Sequence, residues 1–307
     1  TEESTRSEIE TTVAYESKVE LVYAIQYVNI GKDASTDADV VFILKTGESV
    51  HRIGYNKEWS KVFVDGNEYF VSSQFLSTEQ PETVPETNSV AATNPIGNGH
   101  IVAIDAGHQQ SGISEKEPNG PGSSDMKAKL TSGPQGCVTG KAEYELNLEV
   151  SLLLKQELIN RGYQVVMIRE TNDCPLSNAE RAQVANNSGA EIFVRIHANS
   201  STNQNTNGAL TMAPTKSNPY VSYLSDQSIA LSQSIVNHLC TTTGAANKGV
   251  LGTDTMTGIN WCTIPVSIVE MGYMSNPTED VNMSDPTYQA KIVQGISNGI
   301  DEYFSGH

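Results

Sequence analysis

Basic residues are scarce in this chain. It carries 19 Lys and Arg against 36 Asp and Glu in 307 residues, a formal net charge of -17. The deficit is shared along the chain: 7 basic and 16 acidic residues precede residue 98, and 12 and 20 follow it. No basic run offsets it. Such a field repels nucleic acid and anionic membranes, so a polynucleotide partner is not expected. Cysteine is scarce too. Cys137, Cys174, Cys240 and Cys262 lie far apart without a CxxC pair, which rules out a disulfide scaffold and argues against a cysteine zinc site or redox motif. Isolated buried thiols are expected, with disulfides the alternative for an exported protein. No apolar run reaches the ~18 residues of a membrane span. An initial Met is also missing: the chain opens Thr1-Glu2-Glu3-Ser4 and reads as a mature or trimmed form.

What is present is globular: 37% hydrophobic residues, with 24 Gly and 12 Pro. Residues 1–12 are polar and acidic and are expected to fray. Residues 13–77 hold short strand-like runs: Val19–Ala24, Asp39–Leu44, Ser49–Gly54, Ser60–Val64 and Glu68–Ser72. Turns at Lys45-Thr46-Gly47-Glu48, Asn56-Lys57-Glu58 and Asp65-Gly66-Asn67 punctuate them, and an Asp-Gly step between strands is a hairpin signal. This predicts a small all-β barrel. The Gly47 turn, the Trp59-Ser60-Lys61-Val62 strand start, the Asp65-Gly66 turn and the closing Tyr69-Phe70-Val71 and Phe75-Leu76 resemble bacterial SH3-like domains. Residues 78–99, with Pro81, Pro85 and Pro95, read as a linker.

From residue 100 to 307 the pattern changes. Apolar strands at Ile101–Ile104, Gln164–Arg169, Glu191–His197 and Ile264–Glu270 alternate with helices at Leu146–Leu158, Leu176–Asn187, Asp226–Cys240 and Tyr288–Phe304. This predicts an α/β domain: a mostly parallel sheet with helices on both faces.

Ligand sites in open α/β sheets lie beyond the carboxyl ends of the strands. His108 follows one strand, His197 ends another and Glu270 ends a third, so the three can converge. Glu143 opens the long helix at the same edge. Two histidines, one carboxylate and an open position form a catalytic zinc set, and a second carboxylate beside the metal water can move a proton. From spacing alone each group also has a plain structural reading, and Glu143 at a helix start complements the dipole. Glu145 is the alternative ligand. A carboxylate at Glu270 ending an apolar strand is costly unless used. His51 and His238 read as structural or exposed, and His100 and His307 lie at a linker edge and a terminus.

Six motifs occur in order: Ile104-Asp105-Ala106-Gly107-His108; Glu143-Tyr144-Glu145-Leu146-Asn147-Leu148; Ile168-Arg169 with Asp173; Arg181 with Ala185-Asn186; Ile196-His197-Ala198-Asn199; and Val269-Glu270-Met271-Gly272-Tyr273-Met274-Ser275-Asn276. Together they resemble the type-3 family of zinc-dependent N-acetylmuramoyl-L-alanine amidases. The resemblance implies one zinc ion on His108, Glu143 and His197, with Glu270 as catalytic base. It implies hydrolysis of the amide between the lactyl group of N-acetylmuramic acid and L-alanine in peptidoglycan. A secreted or wall-associated bacterial monomer acting on peptidoglycan or muropeptides follows as expectation. Other classes are another zinc-dependent peptidoglycan peptidase or a catalytically weak wall binder.

Three departures from the family pattern stand out. His108-Gln109-Gln110 replaces a diglycine, which predicts a bulkier cleft on that side. The 34 residues between His108 and Glu143 include an insert, 111–140, expected over or beside the cleft with a short helix at Asp125–Leu130. Arg195 stands where a Ser is usual. Strand periodicity puts it on the face of His197, which marks Arg195 as a catalytic candidate, paired with Glu270 or a substrate carboxylate, or else with a structural acid such as Glu191.

Overall fold

A computed structural model describes residues 15–25, 28–35, 38, 40–44, 47–64, 67–80 and 99–306. The chain separates into two compact units, Thr1–Ala91 and Ala92–His307. The expected fraying of 1–12, the turn residues Lys45-Thr46 and Asp65-Gly66, and nearly all of the expected linker 78–99 lie outside the described residues.

The first unit is a seven-stranded antiparallel sheet: β1 (Glu16–Ala24), β2 (Val28–Gly31), β3 (Val40–Leu44), β4 (Ser49–Tyr55), β5 (Trp59–Val64), β6 (Asn67–Ser72) and β7 (Leu76–Ser77), in the order β3-β2-β6-β5-β4-β1-β7. Alternation buries every second residue of β4, and Val22, Ile30, Val50, Val62 and Val71 form the core. Asn56 turns the β4–β5 connection by accepting bonds from the Glu58 and Trp59 amides at 2.8 and 2.7 Å. The curled sheet is of the SH3-like kind. The four-residue β2 was too short to stand out in the sequence.

The second unit carries β8 (Ile101–Ala106), β9 (Ile113–Pro118), β10 (Met126–Leu130), α1 (Glu143–Asn160), β11 (Gln164–Met167), α2 (Asn178–Asn187), β12 (Ile192–Asn199), β13 (Ala209–Ala213), α3 (Ser225–Thr243), β14 (Asn247–Gly252), α4 (Thr257–Asn260), β15 (Val266–Tyr273), α5 (Pro277–Ser284) and α6 (Pro286–Ser305). Its main sheet runs β11-β8-β12-β15-β13-β14. All neighbours are parallel except β15 and β13. One face packs Leu146, Leu154, Ile235, Leu239, Ile296 and Ile300 of α1, α3 and α6. Gly295 and Gly299 let α6 approach α3 closely: a Cβ at either would meet backbone of Leu239 or Ile235 at 2.6 or 2.5 Å. The other face packs Phe193, Met212 and Ile268 against Ala182, Ala185 and Ile259 from α2 and α4. Ser177 caps α2, accepting from the Glu180 amide while the Glu180 carboxylate accepts from the Ser177 amide.

The insert is a β9–β10 hairpin, not a loop with a helix. Met126–Leu130 pairs antiparallel with Ile113–Pro118, and Leu130 is buried. Met, Lys, Ala and Leu favour helix in isolation, and the partner strand overrides that preference. The hairpin is fastened at several points. Glu117 accepts from the Ser177 hydroxyl at 2.6 Å and the Ala179 amide at 3.2 Å. The Trp261 indole donates to the Pro118 carbonyl at 2.9 Å, and Asp280 receives the Val138 and Thr139 amides at 2.7 and 2.9 Å.

Candidate metal centre and active site

The chain leaves β8 through Gly107 and His108. His108 has φ 61°, the left-handed region, alone among described non-glycine residues, a conformation that needs outside support. Guanidiniums give it. Arg169 donates to the carbonyls of Ala106 (2.7 Å) and Gly107 (3.1 Å), and Arg181 to those of Ala106 (3.1 Å) and His108 (3.2 Å). His108 Nδ1 lies 2.8 Å from the Thr131 carbonyl of the insert. A carbonyl only accepts, so Nδ1 carries a proton, and Nε2 is the atom that faces inward to Glu143.

Glu143 is the first residue of α1 and is 2% exposed. Its Oε2 lies 3.0 Å from His108 Nε2. Oε1 lies 3.2 Å from His197 Nδ1 and accepts from the Ala198 amide at 3.0 Å and the Asn147 amide at 3.1 Å. Burial works to raise the carboxyl's pKa, but the hydrogen bonds and charges of the two histidines outweigh it and hold Glu143 well below the usual range. Burial lowers the pKa of His197, which favours the neutral imidazole that ligates metals.

The ligating atoms of His108, Glu143 and His197 lie within 4.8 Å of one another. His197 Nε2 is buried with no partner. Two glycines keep the space open: a Cβ at Gly107 would stand 2.2 Å from the His197 ring, and one at Gly133 would stand 2.4 Å from Glu143 Oε2. Donor chemistry, an orphaned nitrogen and a glycine-lined cradle fit a zinc ion. Glu145 is not among these groups, because its carboxylate turns back to the Ala142 amide at 3.3 Å.

Glu270 pairs in register with His197 across β15 and β12. Its Oε2 is buried and unpartnered. Burial first, and then the charge of Glu143, push its pKa up to about 8.

His108, His197, Glu270 and Arg195 line one cavity of about 270 Å³, together with Leu130 and Thr131 of the insert. Arg195 shares the cavity with Glu270, but its partners are Asp105, at 3.0 and 2.8 Å, and Asn178, at 2.8 Å. Glu191 binds His100 at 3.0 Å instead. Gln109 does not bulk out the cleft: after the left-handed turn it is buried, accepting from Arg181 at 2.9 Å and donating to the Ser111 carbonyl at 2.7 Å. All four cysteines are free; Cys174, Cys240 and Cys262 are buried as expected, while Cys137 is exposed. Asp105, Arg169 and Arg181 lay inside the sequence motifs without a role. Thr131 and Gly133 carried no signal.

A family model described as N-acetylmuramoyl-L-alanine amidase matches residues 102–302. The chain belongs to that family. A germination-specific N-acetylmuramoyl-L-alanine amidase of Bacillus subtilis is 30% identical over 190 residues, 56% of this chain and 76% of the relative. The catalytic domain of the amidase CwlV from Bacillus (Paenibacillus) polymyxa superposes with a TM-score of 0.54 at 28% identity, covering 67% of this chain and 98% of that one. The amidase Ami1 of Mycobacterium smegmatis shares the fold, with a TM-score of 0.62 at 22% identity over 69% of this chain and 99% of that one. The amidase thus cleaves the bond between N-acetylmuramic acid and L-alanine. Among the described residues no helix is long and apolar enough to cross a membrane.

Proposed function

We propose that His108, Glu143 and His197 hold the amidase's single zinc ion and that Glu270 is its general base. Convergence of the three ligand side chains within 4.8 Å, with Glu270 beside His197, supports this reading. Zinc, when bound, supplies Lewis acidity to the scissile carbonyl and brings a water's pKa toward neutrality. Glu270 takes the proton of the attacking water on its carboxylate. It then hands that proton to the L-alanine nitrogen as the C–N bond breaks. A pKa raised toward neutrality suits both halves of the transfer. Asn147 and the Ala198 amide fix the Glu143 carboxylate, and Thr131 fixes the His108 tautomer. Arg195 forms the cleft floor.

The N-terminal unit, joined through a linker at 78–99, is read as a wall-targeting module. The substrate and the bacterial relatives support a place outside the cell or in the wall, where cell separation, wall turnover and lysis are the roles open to such an enzyme. Both parts of the chain are acidic, so attachment rests on shape and local contacts.

The test is digestion of purified peptidoglycan by zinc-loaded protein, with and without chelator. New L-alanine amino termini and lactyl carboxylates are expected, lost on chelation and restored by zinc. An amino terminus on any other residue marks a peptidase instead, and no product in either arm rejects the enzyme.

A further inference from the structure

The cavity does not end at the metal ligands. It continues down the sheet face to Arg195, beneath Asn178 of α2 and Thr257-Gly258 of α4. Arg195 is 3% exposed. Its Nε and Nη2 are held by Asp105 and Asn178. Nη1 lies against Gly258, where a Cβ would come within 1.6 Å, and takes no part in the bonds to Asp105 and Asn178.

The charges around this floor are unbalanced. Arg169, Arg181 and Arg195 are all buried, and one buried carboxylate, Asp105, pairs with two of them. Arg169 meets backbone carbonyls and the Asn172 amide oxygen. Carbonyl dipoles solvate a guanidinium without neutralising it, and buried charge lacking a counter-ion is costly. At the base of the reaction cleft a single carboxylate, Asp105, is thus shared between two guanidiniums.

We propose that this floor is a carboxylate-binding subsite, selecting muropeptides whose residue after L-alanine carries a free carboxylate. The proposal rests on the amidase reading above. Arg195 lies two residues before His197 on β12, about 7 Å along the strand. A peptide advances about 3.3–3.6 Å per residue. With the scissile carbonyl at the metal ligands, the residue after L-alanine reaches the floor. A space of about 270 Å³ admits a dipeptide and not a disaccharide, so the peptide side enters it. Met212, Met256 and Ile268 supply apolar wall, and Arg195 is the one arginine or lysine among the described residues that line the cavity. A carboxylate accepts a charge-assisted bond from Nη1; a primary amide loses the charge.

The experiment compares two synthetic muropeptides, identical except that the residue after L-alanine bears a free carboxylate or its primary amide. Zinc-loaded full-length protein and its R195K and R195Q variants are assayed for kcat/KM. Calorimetry with the matching sugar-free dipeptides runs in parallel. Wild type is expected to favour the acid by roughly 10–100-fold in both measurements. R195Q should bring the acid-to-amide ratio to about 1. R195K, which keeps a cation on Asp105 but loses the fork, should fall between. Equal handling of acid and amide by wild type overturns the proposal without any variant, so a misfolded R195Q does not protect it. An acid preference that persists in R195Q also overturns it, because another group must then read the carboxylate. Turnover without acid preference rejects the subsite and leaves the amidase reading standing. Preferential binding of the acid dipeptide without release of L-alanine amino termini does the reverse.

Discussion

At the mouth of the cleft two carboxylates, Glu143 and Glu270, stand beside two imidazoles. One strand step below, Asp105 stands alone among guanidiniums. The same strands build both ends: β8 leads to Asp105 and His108, β12 to Arg195 and His197, and β15 to Ile268 and Glu270. The mouth is left short of positive charge, and His197 Nε2 and Glu270 Oε2 are buried there without partners. The floor is organised by the protein itself, through Asp105 and a ring of carbonyls. The contrast separates groups left open at the mouth from guanidiniums held largely by the protein at the floor. Within the mouth the two glutamates differ for the same reason. Hydrogen bonds from both histidines hold Glu143 down despite its burial, whereas burial and the neighbouring charge drive Glu270 up.

The sharpest way to break the mouth is Glu270→Gln. Turnover on muropeptides should fall roughly 10²–10⁴-fold, with stoichiometric zinc retained by metal analysis; near-native kcat in zinc-replete protein would reject Glu270 as the base. The floor is broken by Asp105→Asn, which leaves Arg181 and Arg195 without their shared carboxylate. A loss of roughly 3–5 kcal/mol is expected in denaturant unfolding, and an unchanged midpoint would mean that the carbonyl ring alone suffices. The smallest effect is on pH dependence. In metal-free protein Glu270 titrates near 8 when folded against an ordinary 4.5, so the native state binds the extra proton between those values. Its contribution to stability is therefore fully present below about pH 4.5 and is lost as pH rises through 8. E270Q should consequently be more stable than wild type at pH 9 and equal at pH 4. Parallel stability curves for the two proteins would remove burial as the cause.

Much of the mouth was legible because strand ends can be read from apolar runs. Parallel strands β8, β12 and β15 stop at one edge, which brings His108, His197 and Glu270 together without any knowledge of contacts. Shared face was legible for Arg195 and His197, since side-chain alternation is fixed by the backbone. Arg195's partner was not, because Asp105 and Asn178 come from other elements. Met126–Leu130 misled because its residue types favour helix and its true partner lies eight or more residues upstream. Strands β13 and β14 were missed; Ala209–Ala213 is short and Asn247–Gly252 holds two glycines, weak strand signals in isolation. Gln109 pointed the wrong way in expectation because the left-handed backbone at His108 is invisible in sequence.

The insert has a consequence for how such enzymes diversify. Its far end supplies the Thr131 carbonyl to one metal ligand, and Pro134 takes the amide of another, Glu143, at 2.9 Å. Gly133 touches both ligand side chains. The stretch from His108 to Glu143 is therefore one inheritable cassette: its length can drift only if both seams are rebuilt together. A chimera that trades the whole insert, 111–140, would trade away the metal's surroundings with it.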